Sequence, residues 1–202
     1  MLAPFGGAQT ARRCQNAGMS PPAIVLCTLN ARYIHASLGL RYLLANLNRH
    51  GGEGLRAAAV LREFTISRPV PEIVADLLGA LGEAADVPQI IGLGVYIWNV
   101  EQSTELVRQL KQARPAVKIV LGGPEVSHEW EAQAIFHLAD HLVTGWGDVS
   151  FAKLCRALLD GQTSPKLISG EQPPLEQIAL PYAEFSADRK STRLNSSHRI
   201  RS

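Results

Sequence analysis

Cysteine is scarce in this 202-residue chain, aromatic residues make up only 6% of it, and charge of neither sign prevails, with 20 Lys+Arg against 18 Asp+Glu. Cys14, Cys27 and Cys155 are odd in number and spaced like neither a metal site nor a disulfide framework. Cys27, in the apolar run Ala23–Leu29, and Cys155, in a helical pattern, read as small buried hydrophobes of a reducing compartment, so a cytoplasmic protein is expected. No run approaches the roughly 18 apolar residues of a membrane span, which excludes an integral membrane protein. Residues 1–20 carry Arg12 and Arg13 without an apolar stretch behind them, a poor secretory signal.

Chemical motifs are as sparse. Gly92-Leu93-Gly94 lacks the third glycine of a dinucleotide fingerprint and falls inside an apolar run. A receiver domain would need acidic residues after the first strand and an Asp after the third, where this chain has Thr28-Leu29-Asn30 and Tyr96. A flavodoxin phosphate loop would need more hydroxyls than Thr28. No Ser/His/Asp set, paired carboxylates or Cys/His cluster is apparent, so no self-contained active site is expected.

What is present is strict alternation of strand and helix. Ile24–Leu29, Ala57–Thr65, Gln89–Tyr96, Val117–Leu121 and Leu142–Thr144 read as short buried strands. Between them, Ser37–Arg49 places Leu40, Leu43, Leu44 and Leu47 on one helical face, and Pro71–Glu83 does so with Ile73, Val74, Leu77, Leu78 and Leu81. Val100–Ala113 follows a possible Asn99/Gln102 capping pair, Ser127 is a candidate cap for helix running to Leu138, and Asp148 for Val149–Leu159. Crossovers long enough for a helix require parallel strands. The expected fold is therefore α/β, a doubly wound five-stranded parallel sheet of flavodoxin-like (Rossmann-like) type over residues 21–161. Residues 162–187, with Pro165, Pro173, Pro174 and Pro181, read as an extended linker with at most a short hairpin around Leu167-Ile168.

The ends differ from the body. Residues 1–20 read as disordered or as a mis-assigned start, with Met19 as the natural one. Asp188–His198 reproduces, residue for residue, an in-frame translation of a common DNA sequencing adapter. Residues 188–202 are thus expected to be non-native, with natural sequence cut off near Ala187. Residues 1–18 and 188–202 together hold seven of the basic residues and one of the acidic ones. The body is acidic on balance, which removes the compositional case for nucleic acid.

In an open α/β sheet, ligands bind beyond the carboxyl ends of the strands. The loops there would carry Thr28, Leu29, Asn30, Tyr33 and His35 after the first strand, and Tyr96, Ile97, Trp98 and Asn99 after the third. Gly122, Gly123, Pro124 and Glu125 follow the fourth, and Gly145, Trp146 and Gly147 the fifth. Large flat side chains at loop tips suit a large flat ligand. Each also has a plain structural role: Asn30 as a turn residue, Asn99 as a helix cap, His35 as a helix-start residue, and Gly122-Gly123-Pro124 as a simple turn.

Thr28-Leu29-Asn30-Ala31-Arg32-Tyr33-Ile34-His35, Arg62-Glu63-Phe64-Thr65-Ile66, Tyr96-Ile97-Trp98-Asn99-Val100-Glu101-Gln102 and Leu121-Gly122-Gly123-Pro124-Glu125-Val126-Ser127, in that order, resemble the amino-terminal cobalamin (B12)-binding domain of a radical S-adenosylmethionine protein family. The similarity runs from about Ala23 to Tyr182. It implies a corrin held at the carboxyl edge of the sheet by the loop residues just named. It also implies a barrel domain in cis as partner, carrying a [4Fe-4S] cluster on Cys-x-x-x-Cys-x-x-Cys and using S-adenosylmethionine. This chain lacks that cysteine motif, so it is expected to be a non-catalytic module. It also lacks Asp-x-His-x-x-Gly, because His35 is followed by Gly39 at the wrong spacing, so a histidine below cobalt is not expected. The rival readings are an interaction or vestigial domain docking on the barrel without cofactor, and a nucleotide-dependent enzyme using the Gly122-Gly123 turn.

Overall fold

Six short apolar runs become strands: β1 (Ile24–Asn30), β2 (Ala59–Thr65), β3 (Ile90–Gly94), β4 (Lys118–Gly122), β5 (His141–Thr144) and β6 (Leu167–Ser169). In this computed structural model, which describes residues 22–31, 36–83 and 88–188, they form one sheet in the order β2-β1-β3-β4-β5-β6. Every neighbouring pair is parallel. Cys14, Tyr33, His35, the amino-terminal stretch and the adapter-like tail beyond Asp188 lie outside the described residues.

The order 2-1-3-4-5 is the flavodoxin-like one, with the strand order reversing between β1 and β3. The expectation of five strands is corrected to six. Leu167–Ser169 is no hairpin: it runs parallel to β5, with Leu142 N–H donating to Lys166 O and Gly170 N–H to Thr144 O, both at 2.7 Å. Those bonds cover the edge that β5 would otherwise leave open. Leu167–Ser169 is short and mostly exposed, so unlike Leu142–Thr144 it lacks the buried apolar run that marks a strand in the sequence.

Helices cover both faces. α1 (Leu38–Gly51) and α5 (Gly147–Leu159) pack together over one face, burying Leu40, Leu44, Leu47, Phe151, Leu154 and Leu158 against Ile24, Leu26, Ile90 and Val120. On the other face α2 (Val70–Leu81), α3 (Val100–Ala113) and the short α4 (Ala134–Leu138) bury Ile73, Leu77, Leu106, Leu110 and Ile135 against Val25, Ile91, Ile119 and Leu142. Cys27 and Cys155 are free thiols inside these two cores, where burial pushes each thiol pKa far up and leaves it inert.

Three capping expectations fail for identifiable reasons. Ser127 does not open a helix, since its hydroxyl donates to Gly123 O at 2.8 Å. The chain makes only a 3-10 turn (Trp130–Ala132), preceded by the left-handed Glu129, before α4. α5 starts at Gly147 with Trp146 in the cap position, placing Asp148 inside the first turn. Asn99 occupies the cap position of α3 but spends its side chain elsewhere, and Gln102 Nε2 donates to Arg68 O.

After β6 the chain runs along α1. A 3-10 turn (Leu175–Gln177) leads to α6 (Tyr182–Asp188), where Glu184 pairs with Arg56 at 2.6 Å and Phe185 lies under the guanidinium of the buried Arg41 at 4.9 Å. No described helix is long and apolar enough to cross a membrane.

Candidate functional site

The face of the sheet toward α1 and α5 changes character along its length. At the amino end it presents Ile24, Leu26, Ile90 and Val120, which fill the core. Two steps further toward the carboxyl end the same face carries Thr28, Gly94 and Gly122, where side chains are small or missing. In a strand, residues two apart share a face, so Gly92 and Gly94 empty the same side of β3. The helices above match this. Gly51 of α1 lies so close to α5 that a Cβ there would meet Ala152 O at 2.7 Å, whereas at the other end Gly39, Leu40, Tyr42 and Leu43 of α1 and Gly147, Asp148 and Phe151 of α5 line a cavity, Leu43 approaching α5 only because Gly147 has no side chain.

The result is a slot of about 780 Å³ with a glycine floor, walled by Leu40, Leu43, Val120, Val143 and Phe151 and bordered by Tyr42, Tyr96, Trp146 and Asp148. That volume falls in the range of small-molecule and cofactor sites. A side chain added at Gly122 would meet only Val143 O, at 3.7 Å, so the floor is bare without being crowded by protein.

The edge loops divide into those that face the slot and those that hold the edge together. Of the residues singled out in the sequence, Tyr96, Gly122, Gly123, Gly145, Trp146 and Gly147 line it. Thr28 and Leu29 are fully buried, and Thr28 donates its hydroxyl to Gly94 O at 3.0 Å. Asn99, 1% exposed, ties the switch point: its Nδ2 donates to Leu29 O (2.9 Å) and Gly94 O (3.4 Å), while its Oδ1 accepts from Tyr96 N–H (2.9 Å) and from the Ser103 hydroxyl (3.3 Å). Trp98 Nε1 donates to the same Leu29 carbonyl at 3.2 Å, and its ring stacks on Tyr96 with 4.6 Å between centroids and 7° between planes. Asn30 accepts Ile66 N–H through its carbonyl at 2.9 Å.

Gly123, at φ 111°, crosses the end of β3 where any Cβ would sit 2.3 Å from Val95 O. Pro124 is exposed beyond it, and the Glu125 carbonyl accepts from Gln133 Nε2. Ser127 links this loop to the next by accepting Gly145 N–H at 3.3 Å. Around the mouth, Ile97, Trp98 and Trp146 are exposed apolar surface. Tyr33 and His35, expected in the first loop, lie outside the described residues, so the structure describes neither.

The sequence reading missed Gly39, Tyr42, Leu43, Gly92, Gly94, Asp148 and Phe151. The available signal was the glycine pair itself: two glycines at strand spacing mark close approach by a ligand or another backbone, and it was weighed only as a nucleotide fingerprint.

Asp148 is the slot's one carboxylate among the described residues, and desolvation holds its pKa above the ordinary carboxylate range. Its folded form therefore binds the proton more tightly than its unfolded form. This favours folding at low pH, an advantage lost as pH rises through the raised folded value. Asp148→Asn is expected to raise the melting temperature at pH 7 and leave it nearly unchanged at pH 3; an equal shift at both pH values would contradict this.

A six-stranded open sheet whose cavity opens at the carboxyl ends of β3, β4 and β5, on a floor stripped of side chains, defines a cofactor-binding α/β domain. The chain belongs to the B12-binding domain family, which it matches over residues 24–155, and the cofactor of that family is cobalamin. It is 27% identical over 85 residues to 2-(S-pantetheinyl)-carbapenam-3-carboxylate methyltransferase of Streptantibioticus cattleyicolor, covering 42% of this chain and 12% of that protein. Among solved structures it is similar to the radical S-adenosylmethionine methyltransferase TsrM of Kitasatospora setae, at 19% identity and TM-score 0.48, over 70% of this chain and 27% of that one. The N-terminal domain of a hypothetical protein of Thermotoga maritima is 23% identical at TM-score 0.33, over 48% of this chain and 88% of that one. The chain thus spans a small part of the length of the methyltransferases it resembles.

The slot fits the cofactor's tail. It is apolar and of small-molecule size, and its floor would accept a planar group against bare backbone.

Proposed function

We propose that this chain is the cobalamin-holding module of a radical S-adenosylmethionine enzyme of the methyltransferase kind, working with a barrel domain in the cytoplasm and not catalytic by itself. The observation that carries the reading is the glycine-floored slot at the carboxyl ends of β3, β4 and β5, within a chain of the B12-binding family. The slot takes the nucleotide tail, between Leu43 and Phe151 on its walls and Gly94 and Gly122 on its floor. The corrin then lies over the edge, on the apolar surface of Tyr96, Trp98 and Trp146. Cobalamin, when bound, supplies a cobalt centre for one-carbon transfer.

This chain's own residues hold and orient. The Asn99 bonds and the Tyr96–Trp98 stack fix the β1 and β3 ends in advance, which lowers the ordering cost of binding. Exposed Ile97, Trp98 and Trp146 face the side on which the barrel would close. No histidine of this chain would hold the cobalt in this reading, which rests on the missing Asp-x-His-x-x-Gly spacing.

Gel filtration after loading with hydroxocobalamin tests both parts. The protein is expected to retain the cofactor, and His35→Ala is expected to retain it with an unchanged visible spectrum. Loss of the chromophore from the wild type at tens of micromolar would sink the cofactor reading, and a spectral change in His35→Ala alone would restore a histidine ligand.

A further inference from the structure

The slot is not completed by the residues that match the family. One side is closed by Leu175, Ile178 and Leu180, which lie beyond the match ending at residue 155. This stretch is secured to α1 by backbone pairing onto side chains. Asn46, fully buried in the middle of the helix, donates from Nδ2 to Ala179 O at 3.1 Å and accepts Ala179 N–H on Oδ1 at 2.8 Å, mimicking a strand partner. One turn further along α1, Arg49 Nη2 donates to Glu176 O at 2.9 Å, and a ring nitrogen of His50 lies 3.1 Å from Gln177 O. Upstream, Glu171 N–H donates to Ser150 Oγ of α5 at 3.0 Å. The segment therefore bridges from α5 to α1 across the gap between them.

Apolar anchorage is confined to a few points: Pro173 and Pro181 near the ends of the segment are buried and Ile178 is half-buried, whereas Leu175 and Leu180 remain 75% and 58% exposed even though they border the slot. Between the two prolines polar bonds to α1 do much of the holding, and a segment so held opens at lower cost than the core. A buried Asn in a helix interior is costly unless its groups are all satisfied; here Oδ1 is used on the segment, while Nδ2 is shared between Ala179 O, Tyr42 O of its own helix at 2.9 Å and Asp148 Oδ1 at 3.5 Å.

We propose that residues 171–181 form a strap closing the slot from the side, that its opening sets how long the cofactor's tail is held, and that Asn46 is the residue that positions it. This rests on the cobalamin reading for its occupant and on the strap's own bonds for its action. Ile178 presents apolar surface to the tail, and Asn46 acts through the strap.

The test uses the whole chain as wild type, Asn46→Ala and Ile178→Ser. Amide exchange reports strap opening, dilution of the hydroxocobalamin complex reports retention, and stopped-flow binding of the apolar dye 8-anilinonaphthalene-1-sulfonate reports access to the slot without cobalamin. In Asn46→Ala, exchange at Ile178–Leu180, cobalamin dissociation and dye access are all expected to accelerate about tenfold, the scale of losing one or two hydrogen bonds. Ile178→Ser keeps the Asn46 bonds, so exchange is expected to stay near wild type while cobalamin leaves faster. Unchanged exchange in Asn46→Ala overturns the positioning role. Faster exchange with unchanged dissociation and dye access overturns the strap as a gate. A wild type that holds no cobalamin defeats the occupant, and the dye rates then decide the strap alone.

Discussion

Gly122→Val is expected to weaken cobalamin binding roughly fivefold to a hundredfold while leaving the melting temperature within a few degrees of wild type. Gly122 ends β4 on the slot side, and its absent side chain leaves the floor open, with only Val143 O, at 3.7 Å, near the place a Cβ would take. Valine suits a strand conformation, so the fold tolerates it. The added methyl groups occupy the volume the ligand needs, and overpacking of that kind costs about 1–3 kcal/mol, a factor of roughly five to more than a hundred in affinity. Gly92 makes the contrast: a Cβ there would meet Leu26 at 2.7 Å and Phe151 at 2.9 Å, so the same change damages the core first. Equilibrium titration with hydroxocobalamin beside thermal unfolding separates the two effects. Undiminished binding in Gly122→Val would remove the slot from the account.

Gly123→Ala is expected to be the most destabilising of the small substitutions, by about 3 kcal/mol or more, since positive-φ strain and overpacking each cost about 1–3 kcal/mol. The backbone at φ 111° excludes L side chains, and the methyl would lie 2.3 Å from Val95 O and 2.9 Å from Val95 N. These are backbone atoms of the neighbouring strand, so no rotamer change relieves the contact. The loop after β4 would have to lift off β3, breaking the Val95 N–H to Gly122 O bond of 2.8 Å and freeing the Ser127 link to Gly145. Urea unfolding measures this directly, and a stability within about 0.5 kcal/mol of wild type, the usual span of harmless surface changes, would contradict it.

The paired neighbours Gly122 and Gly123 show what sequence could and could not convey. Both are legible as a turn where a ligand might approach, yet one is bare for the slot and the other for the strand beside it. Only the positions of Val143 and Val95, fixed by strand order, tell them apart. Periodicity carried the long elements well: α3 runs Val100–Ala113 as its pattern indicates, and α1 and α2 differ from expectation by one or two residues at their ends. It failed at β6, a three-residue edge strand that is mostly exposed, and where a polar side chain had several partners to choose from. Ser127, Asn99 and Asp148 all looked like caps, and each is used by tertiary structure instead. Asn46 gave no signal at all, because its partner lies 133 residues along the chain.

The central claim is that the slot receives the nucleotide tail of cobalamin, and a parallel titration with hydroxocobalamin and with cobinamide, the same corrin without its nucleotide, tests it most directly. Cobalamin is expected to bind near one equivalent and survive gel filtration, with cobinamide bound far more weakly. Equal affinity for the two, or retention of neither, would contradict the account.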